Sequence, residues 1–361
     1  MKKRIAALLL MLLPVCALAE STDVLTFEGE EPPEAESWDD AVFREWYQRE
    51  DGSDWRVLPD GSVIVTLSAT GDVTIGGDVR KRGRSIFDKQ MEKEPLGLEF
   101  PLSNVRNIFE RDDLTLVNFE GTLTDTKSAT KNSFSFAAPP SYVQVLTSGG
   151  VEAVSLENNH VMDHGKQGYE DTCKALEGAG VLYSGHLGSS IFTTDTGVDI
   201  GMLAYQTFNG NYPKIREALP GDIQALRDAG CEIVIVSYHW GEERKYVPNE
   251  RQVPLAHDTI DAGADLVLGH HSHRMNPIEV YKGKYICYSL GNFSFAGNAN
   301  PDDMDTFIFQ TRFRVHPDGT AEPEDMRIIP CSIRRKSRLT TLSPRRRMKK
   351  GLRRLSPASK S

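Results

Sequence analysis

Residues 232–273 read EIVIVSYHWGEERKYVPNERQVPLAHDTIDAGADLVLGHHSH. Glu232 to Ser237 is a β-branched apolar run of strand length that leads to His239-Trp240-Gly241. Val253 to Ala262 has helical spacing and stops at Gly263. Asp265 to Leu268 is a second apolar run, leading to Gly269-His270-His271-Ser272-His273. Strand, helix and strand in this order predict a β-α-β unit, because two parallel strands need a crossover long enough to hold a helix.

The same alternation extends towards the N-terminus. Val63 to Thr70 reads as a strand, followed by Gly71-Asp72, and Leu98 to Glu110 has helical spacing. Leu114 to Val117 is a short buried strand before Asn118-Phe119-Glu120. Ser141 to Ser148 is helical and stops at Gly149-Gly150; Val151 to Leu156 is a strand ending at Asn158-Asn159-His160. Helices follow over Gly168 to Ala179 and Ile215 to Ala229, each stopped by a glycine. The alternation predicts an α/β fold with a largely parallel sheet covered by helices. Strands at Ile278, Tyr285 and Phe307 add antiparallel pairing, and Thr306 to Ile333 reads as a hairpin turning at Pro317-Asp318-Gly319.

Five of these strand-like runs end in groups suited to a metal or a reaction. The endings are Asp72; Asn118 and Glu120; Asn158, Asn159 and His160; His239; and His270, His271 and His273. In open α/β sheets ligands bind beyond the carboxyl ends of the strands, and parallel strands bring all five endings to one edge. Carboxylates, an amide carbonyl and neutral imidazoles without thiolate suit Mn, Fe or Zn. A pair of such ions polarises an ester oxygen and makes hydroxide available near neutral pH. A remaining imidazole can protonate the leaving group.

The chain has 361 residues, with 42 Lys+Arg against 51 Asp+Glu and a net charge of −9. That balance argues against nucleic acid as a partner, since such domains are usually basic. It also averages three unlike parts. Residues 1–19 carry Lys2-Lys3-Arg4, an apolar run over Ile5 to Leu13 and a small-x-small site at Ala17-Leu18-Ala19. This reads as a signal peptide and predicts export to the periplasm, cell surface or medium. Residues 334–361 hold 12 Lys+Arg and no acid, which reads as a disordered tail able to touch an anionic surface. Setting aside those 12 and the three leader cations leaves 27 basic residues against all 51 acids. Residues 20–61 read as an acidic linker, with a short amphipathic helix over Trp38 to Tyr47, and 62–333 as the functional body. Four cysteines remain after cleavage, Cys173, Cys231, Cys287 and Cys331, open to one disulfide or to buried thiols.

Gly71-Asp72, Asn118-Phe119-Glu120-Gly121, Asn158-Asn159-His160-Val161-Met162-Asp163-His164-Gly165, His239-Trp240-Gly241-Glu242, Gly269-His270-His271-Ser272-His273 and Tyr288-Ser289-Leu290-Gly291-Asn292-Phe293 occur in that order. Together they resemble the bacterial capsule-synthesis family called CapA or PGA-cap, linked to poly-γ-glutamate production and similar in fold to the calcineurin-like metallophosphoesterases. The resemblance spans Val65 to Phe295 and implies a four-layer αββα sandwich holding two divalent ions. It implies metal ligation by Asp72, Glu120, Asn159, His239, His271 and His273, and proton donation by His160. His270 competes with His271, although only His271 and His273 keep the H-x-H spacing. Asn118, Asn158, Glu242 and Asn292 are further candidates for lining the site. The chain departs from the pattern at Thr74, where metallophosphoesterases carry a histidine, and at Glu157 and His164. Arg80, Lys81, Arg82 and Arg84 are placed to steer an anion.

Two functions fit. One is an exported metal-dependent hydrolase acting on an anionic envelope substrate, a phosphoester or poly-γ-glutamate. The other is a non-catalytic factor that binds and guides the polymer on the same fold.

Overall fold

The computed structural model describes residues 23–25, 56–78, 85–130, 134–186, 188–296, 301–333 and 340–342. The leader, the Trp38–Tyr47 helix, the Arg80–Arg84 cluster and nearly all of the basic tail lie outside the described residues.

Two large sheets form the molecule. The first runs in the order β18 (Thr340–Leu342), β17 (Ala321–Ile333), β16 (Asp305–Val315), β2 (Val63–Thr74), β4 (Leu114–Phe119), β7 (Ala153–Leu156) and β8 (Leu182–Gly185), and β15 (Asn292–Phe295) also pairs with β2. The second runs β1 (Asp23–Leu25), β13 (Ile278–Tyr281), β14 (Lys284–Cys287), β12 (Leu266–His270), β11 (Ile233–His239), β10 (Asp199–Gln206) and β9 (Ser190–Thr193). A small third sheet joins β3 (Gly77–Asp78), β6 (Phe136–Ala138) and β5 (Thr122–Leu123). Strands β2, β4, β7 and β8 are parallel, as are β10, β11, β12 and β14. The outer strands pair antiparallel, including the Asp305–Ile333 hairpin.

Side-chain alternation builds the layers. On β11, Ile233 and Ile235 pack between the sheets with Leu67, Leu116, Met202, Leu266 and Leu268. Val234, Val236 and Tyr238 face the other way, onto Ile215, Leu219, Ile223 and Leu226 of the helix Tyr212–Asp228 and onto Leu255 and Ile260 of the helix Gln252–Asp261. On the first sheet, Val117, Phe119, Val154 and Leu156 meet Ile108, Phe109, Leu146, Tyr169 and Leu176 of the opposite helical layer. Strands buried on both faces read as continuous apolar runs, which is how β11 looked in sequence. Each such side chain contributes about 1.5–3 kcal/mol by leaving water. The result is helix, sheet, sheet, helix: the αββα sandwich.

Some expectations shift. Residues 98–110 do not form one helix; a 3₁₀ helix Gly97–Leu102, which contains Pro101, precedes the short helix Arg106–Phe109. The helix expected from Gly168 begins at Gly165. Strand β2 does not end at Thr70 but runs on to Thr74, with an irregularity between Ala69 and Asp72. Within the segment read as a linker, Asp23–Leu25 pairs with β13. Within the basic tail, Thr340–Leu342 pairs with β17. All four described cysteines are buried and free; Cys231, Cys287 and Cys331 fill three different core layers.

Candidate metal centre

Register assembles the site at the carboxyl edge. On the first sheet Asp72 pairs with Asn118 of β4 on one side and Asn292 of β15 on the other. The close approach of β15 requires Gly71, where a Cβ would lie 1.9 Å from the Gly291 carbonyl oxygen. The Asp72 N–H donates to that oxygen at 2.8 Å. On the second sheet His239 pairs with His270. The chain then turns sharply, and His271 (φ 88°) and His273 (φ 53°) both occupy the left-handed region. Non-glycine residues are held there at a cost of order 1–3 kcal/mol, a strain that clusters at functional sites.

Glu120 lies at the centre. It is fully buried, and neither carboxylate oxygen accepts a hydrogen bond among the described residues. Three imidazole Nε2 atoms surround its Oε1: His160 at 3.8 Å, His273 at 3.9 Å and His239 at 4.0 Å. His273 also places Nδ1 3.0 Å from Asp72 Oδ2 and 2.8 Å from Asn292 Oδ1. Asp72, Glu120 and His273 thus bring one ligand atom each within 4.8 Å of one another. A second trio converges beside them: His239 Nε2 lies 2.8 Å from Asn159 Oδ1 and 3.0 Å from His271 Nδ1.

The remaining candidates divide. Asn118 donates to Asp72 Oδ1 at 2.8 Å and lies 3.4 Å from His239 Nδ1, so it contacts two candidate ligands from behind. Asn158 serves the backbone, donating to the Phe119 carbonyl at 2.8 Å and accepting the His160 N–H at 3.1 Å. His270 is buried with Nδ1 unbonded, 3.7 Å from Asp72 Oδ1. Glu242 does not join the cluster: it is exposed to solvent beyond the end of β11. Thr74 is buried with its hydroxyl unbonded. His164 bonds Thr122 at 2.9 Å, and Glu157 accepts from Gln206 at 2.6 Å.

Four residues beside the site were not singled out in the sequence. Buried Asp163 accepts the Phe136 N–H at 2.7 Å and lies 2.8 Å from His160 Nδ1, so it orients that ring. Its signal was available, since an acid three residues after His160 in a turn reaches back to it. Phe208 gave no signal; its ring stands 4.5 Å from that of His271. Phe136 and Phe295 stand similarly over His160 and His273, at 4.6 and 5.2 Å.

Electrostatics follow from burial and crowding. Burial pushes the Glu120 carboxyl up to about 7, helped by Asp72 and opposed by His273 and His160. Burial also works against charge on Asp72, yet the His273 hydrogen bond and charge, with His270 and Asn118, hold it below the usual value. Burial opposes charge on His273 too, but Glu120 and Asp72 raise it to about 10. His160 is raised against burial by Asp163 and Glu120. His239 is driven well down by burial and the imidazoles around it, and burial takes His270 and His271 to about 4. His239, His270 and His271 are thus held as neutral imidazoles, the donor state a divalent cation requires, whereas His273 would have to release a proton as an ion bound. The set fits a metal, with Asp72, Glu120 and His273 on one side and Asn159, His239 and His271 on the other.

The family described as bacterial capsule synthesis protein PGA_cap matches residues 66–296. The PGA biosynthesis protein CapA of Bacillus subtilis (strain 168) is 32% identical over 251 residues, covering 64% of this chain and 63% of that protein. The capsule biosynthesis protein CapA of Bacillus anthracis is 29% identical over 255 residues, covering 64% and 60%. A probable polyglutamine synthesis accessory protein of Mycobacterium tuberculosis is 32% identical over 229 residues, covering 55% and 60%. The chain therefore spans less than two thirds of the length of these relatives. Among solved structures, TT1561 of Thermus thermophilus aligns with a TM-score of 0.42 at 10% identity, over 73% of this chain and 99% of that one. With most of its sandwich inside the matched span, the chain belongs to the bacterial capsule synthesis family PGA_cap.

Proposed function

We propose that this protein is an exported, metal-dependent hydrolase of capsule or poly-γ-glutamate biosynthesis, acting on an anionic envelope substrate. The observation that carries the reading is Glu120: a fully buried carboxylate with both oxygens unbonded, and three imidazole nitrogens about 4 Å from one of them. Bound divalent ions would supply Lewis acidity and lower the pKa of water. The chain's own residues do the rest. Asn118 and Asn292 hold Asp72 and His273 in place. Asp163 fixes His160 with Nε2 towards Glu120, where it can deliver a proton to a leaving group. Phe136, Phe208 and Phe295 stand against the rings of His160, His271 and His273. Export rests on the leader in residues 1–19, and contact with an anionic surface on the basic tail.

The second reading is a factor that binds the polymer without cleaving it. Thr74 favours it, since a buried hydroxyl stands where metallophosphoesterases carry a histidine. Metal analysis of the purified protein, with turnover of bis-p-nitrophenyl phosphate and γ-glutamyl polymer before and after chelation, separates the two. For the hydrolase, chelation abolishes turnover. His160→Ala then loses about 10²–10⁴-fold in rate while keeping its metal. Bound metal with no turnover of either substrate selects the binding factor, and full activity in His160→Ala removes the acid role.

A further inference from the structure

His271 and His273 stand in a turn that most side chains disfavour. Five non-glycine residues among those described have left-handed backbone, and three of them meet here: His271 (φ 88°), His273 (φ 53°) and Arg244 (φ 65°), the last in the loop after β11. A residue with a side chain persists in that region only where its surroundings over-determine it. Around this turn lies a buried polar cluster of Ser272, Asn276 and Ser289, which are 3%, 1% and 1% exposed.

Asn276 is its hub. The side-chain Nδ2 donates to the Lys245 carbonyl at 2.8 Å and lies 3.3 Å from both Ser272 Oγ and the Arg274 carbonyl oxygen. The Asn276 N–H donates to the Ser289 carbonyl at 2.9 Å. Ser272 Oγ lies 2.8 Å from the Arg274 carbonyl oxygen and 2.9 Å from Ser289 Oγ, and it accepts the Arg274 N–H at 3.2 Å. The loop after β11 is therefore tied to the turn twice: through Lys245, and through the Arg244 N–H, which donates to the Ser272 carbonyl at 2.7 Å. The segment before β15 is tied through Ser289, whose Oγ accepts the Gly291 N–H at 3.3 Å. Gly291 and Asn292 in turn contact Asp72 and His273. Apolar groups of the same shape could join such segments at little cost in stability. What a satisfied buried network adds is one defined geometry.

We propose that Asn276, together with Ser272, is a positioning residue of the metal centre. Its amide pins the turn to the loop after β11 and so keeps His271 and His273 in the left-handed conformations that bring their rings to the site. Without it the turn relaxes towards ordinary backbone and the two imidazoles leave the other donors. The inference rests on the metal-binding part of the proposed function, and it says what keeps that donor set assembled.

The test is calorimetric titration of the metal-free protein with Mn²⁺, with the visible spectrum of bound Co²⁺ reporting ligand geometry. Asn276→Ala should weaken Mn²⁺ binding about tenfold or more, the size of effect that partners of metal ligands have, and should change the Co²⁺ bands. Asp265→Ala is the control for stability alone: it should lower the melting temperature and leave both readings at wild-type values. Ser272→Ala, a smaller lesion in the same cluster, carries the same expectation where Asn276→Ala does not fold. Wild-type affinity and spectrum in Asn276→Ala, or in Ser272→Ala where only that variant folds, overturn the proposal. So does an affinity that falls equally in Asp265→Ala. A wild-type protein that binds neither ion removes the metal reading and this inference together, whereas a wild type and cluster variants that bind alike remove this inference alone.

Discussion

The two edges of the sandwich both carry buried or half-buried carboxylates, and they use them in opposite ways. At the amino edge, Asp113, Glu152, Glu232 and Asp265 each stand one residue before a parallel strand. Each accepts a backbone N–H from the neighbouring strand at 2.8 Å: Thr66, Thr115, Asp199 and Val234 in turn. Arg56 completes Asp113, and Arg227 and Lys284 complete Asp265. At the carboxyl edge, Glu120 accepts nothing, and imidazoles converge on it. Acids at the amino edge close the sheet, whereas the acid at the carboxyl edge has both oxygens unbonded among the described residues, as the proposed cation would need. A buried polar group costs free energy unless it is paired, so the unpaired one marks the function.

The largest effect should come from Glu120→Gln. Metal affinity should fall by more than about a hundredfold, beyond the range of outer-shell changes, and turnover should vanish. The melting temperature should hold or rise, because the burial cost of an unpaired acid is gone. Retention of metal at wild-type level would break the contrast between the edges.

Asp265→Ala should do the reverse. It strips Val234 of its acceptor and Arg227 and Lys284 of their shared carboxylate, at about 3 kcal/mol in urea denaturation. Metal content per folded molecule should not change. A stable but metal-free variant would show that the amino edge also builds the site.

Glu152→Gln tests the amino edge most gently. Burial raises this carboxyl from 4.5 to about 7, so the folded chain keeps its proton where the unfolded chain has lost it. The contribution of Glu152 to stability is therefore greatest below about pH 4.5 and declines as pH rises towards about 7. The variant should remove that slope and be more stable at pH 8 by on the order of 1 kcal/mol, screening included. An unchanged slope in melting against pH would show that Glu152 does not titrate with folding.

Much of this was legible in the chain. Glu232 to Ser237 read as an apolar, β-branched strand, and the structure divides the strand's apolar side chains between two cores. The polar endings of the parallel strands marked one edge, and H-x-H preferred His271 over His270. Other features had no local signal. Glu242 follows His239 closely, yet it is exposed to solvent after the strand ends. Phe208 comes from the loop after β10 and reaches His271 across 63 positions in the sequence. The strand-forming ends of the linker and tail, Asp23–Leu25 and Thr340–Leu342, are too short to be read without their partners.

Composition, periodicity and the order of the motifs therefore determined the α/β class, the family and the set of residues that could hold a metal. Those are local properties, set by side-chain spacing along one strand or turn. Only the tertiary structure decided which candidate donors lie within reach of one another, and that Asp163 aims His160. These depend on the register between strands and on how the two sheets face each other. Distances of 3–4 Å between residues far apart in the chain are set only when the whole sandwich closes.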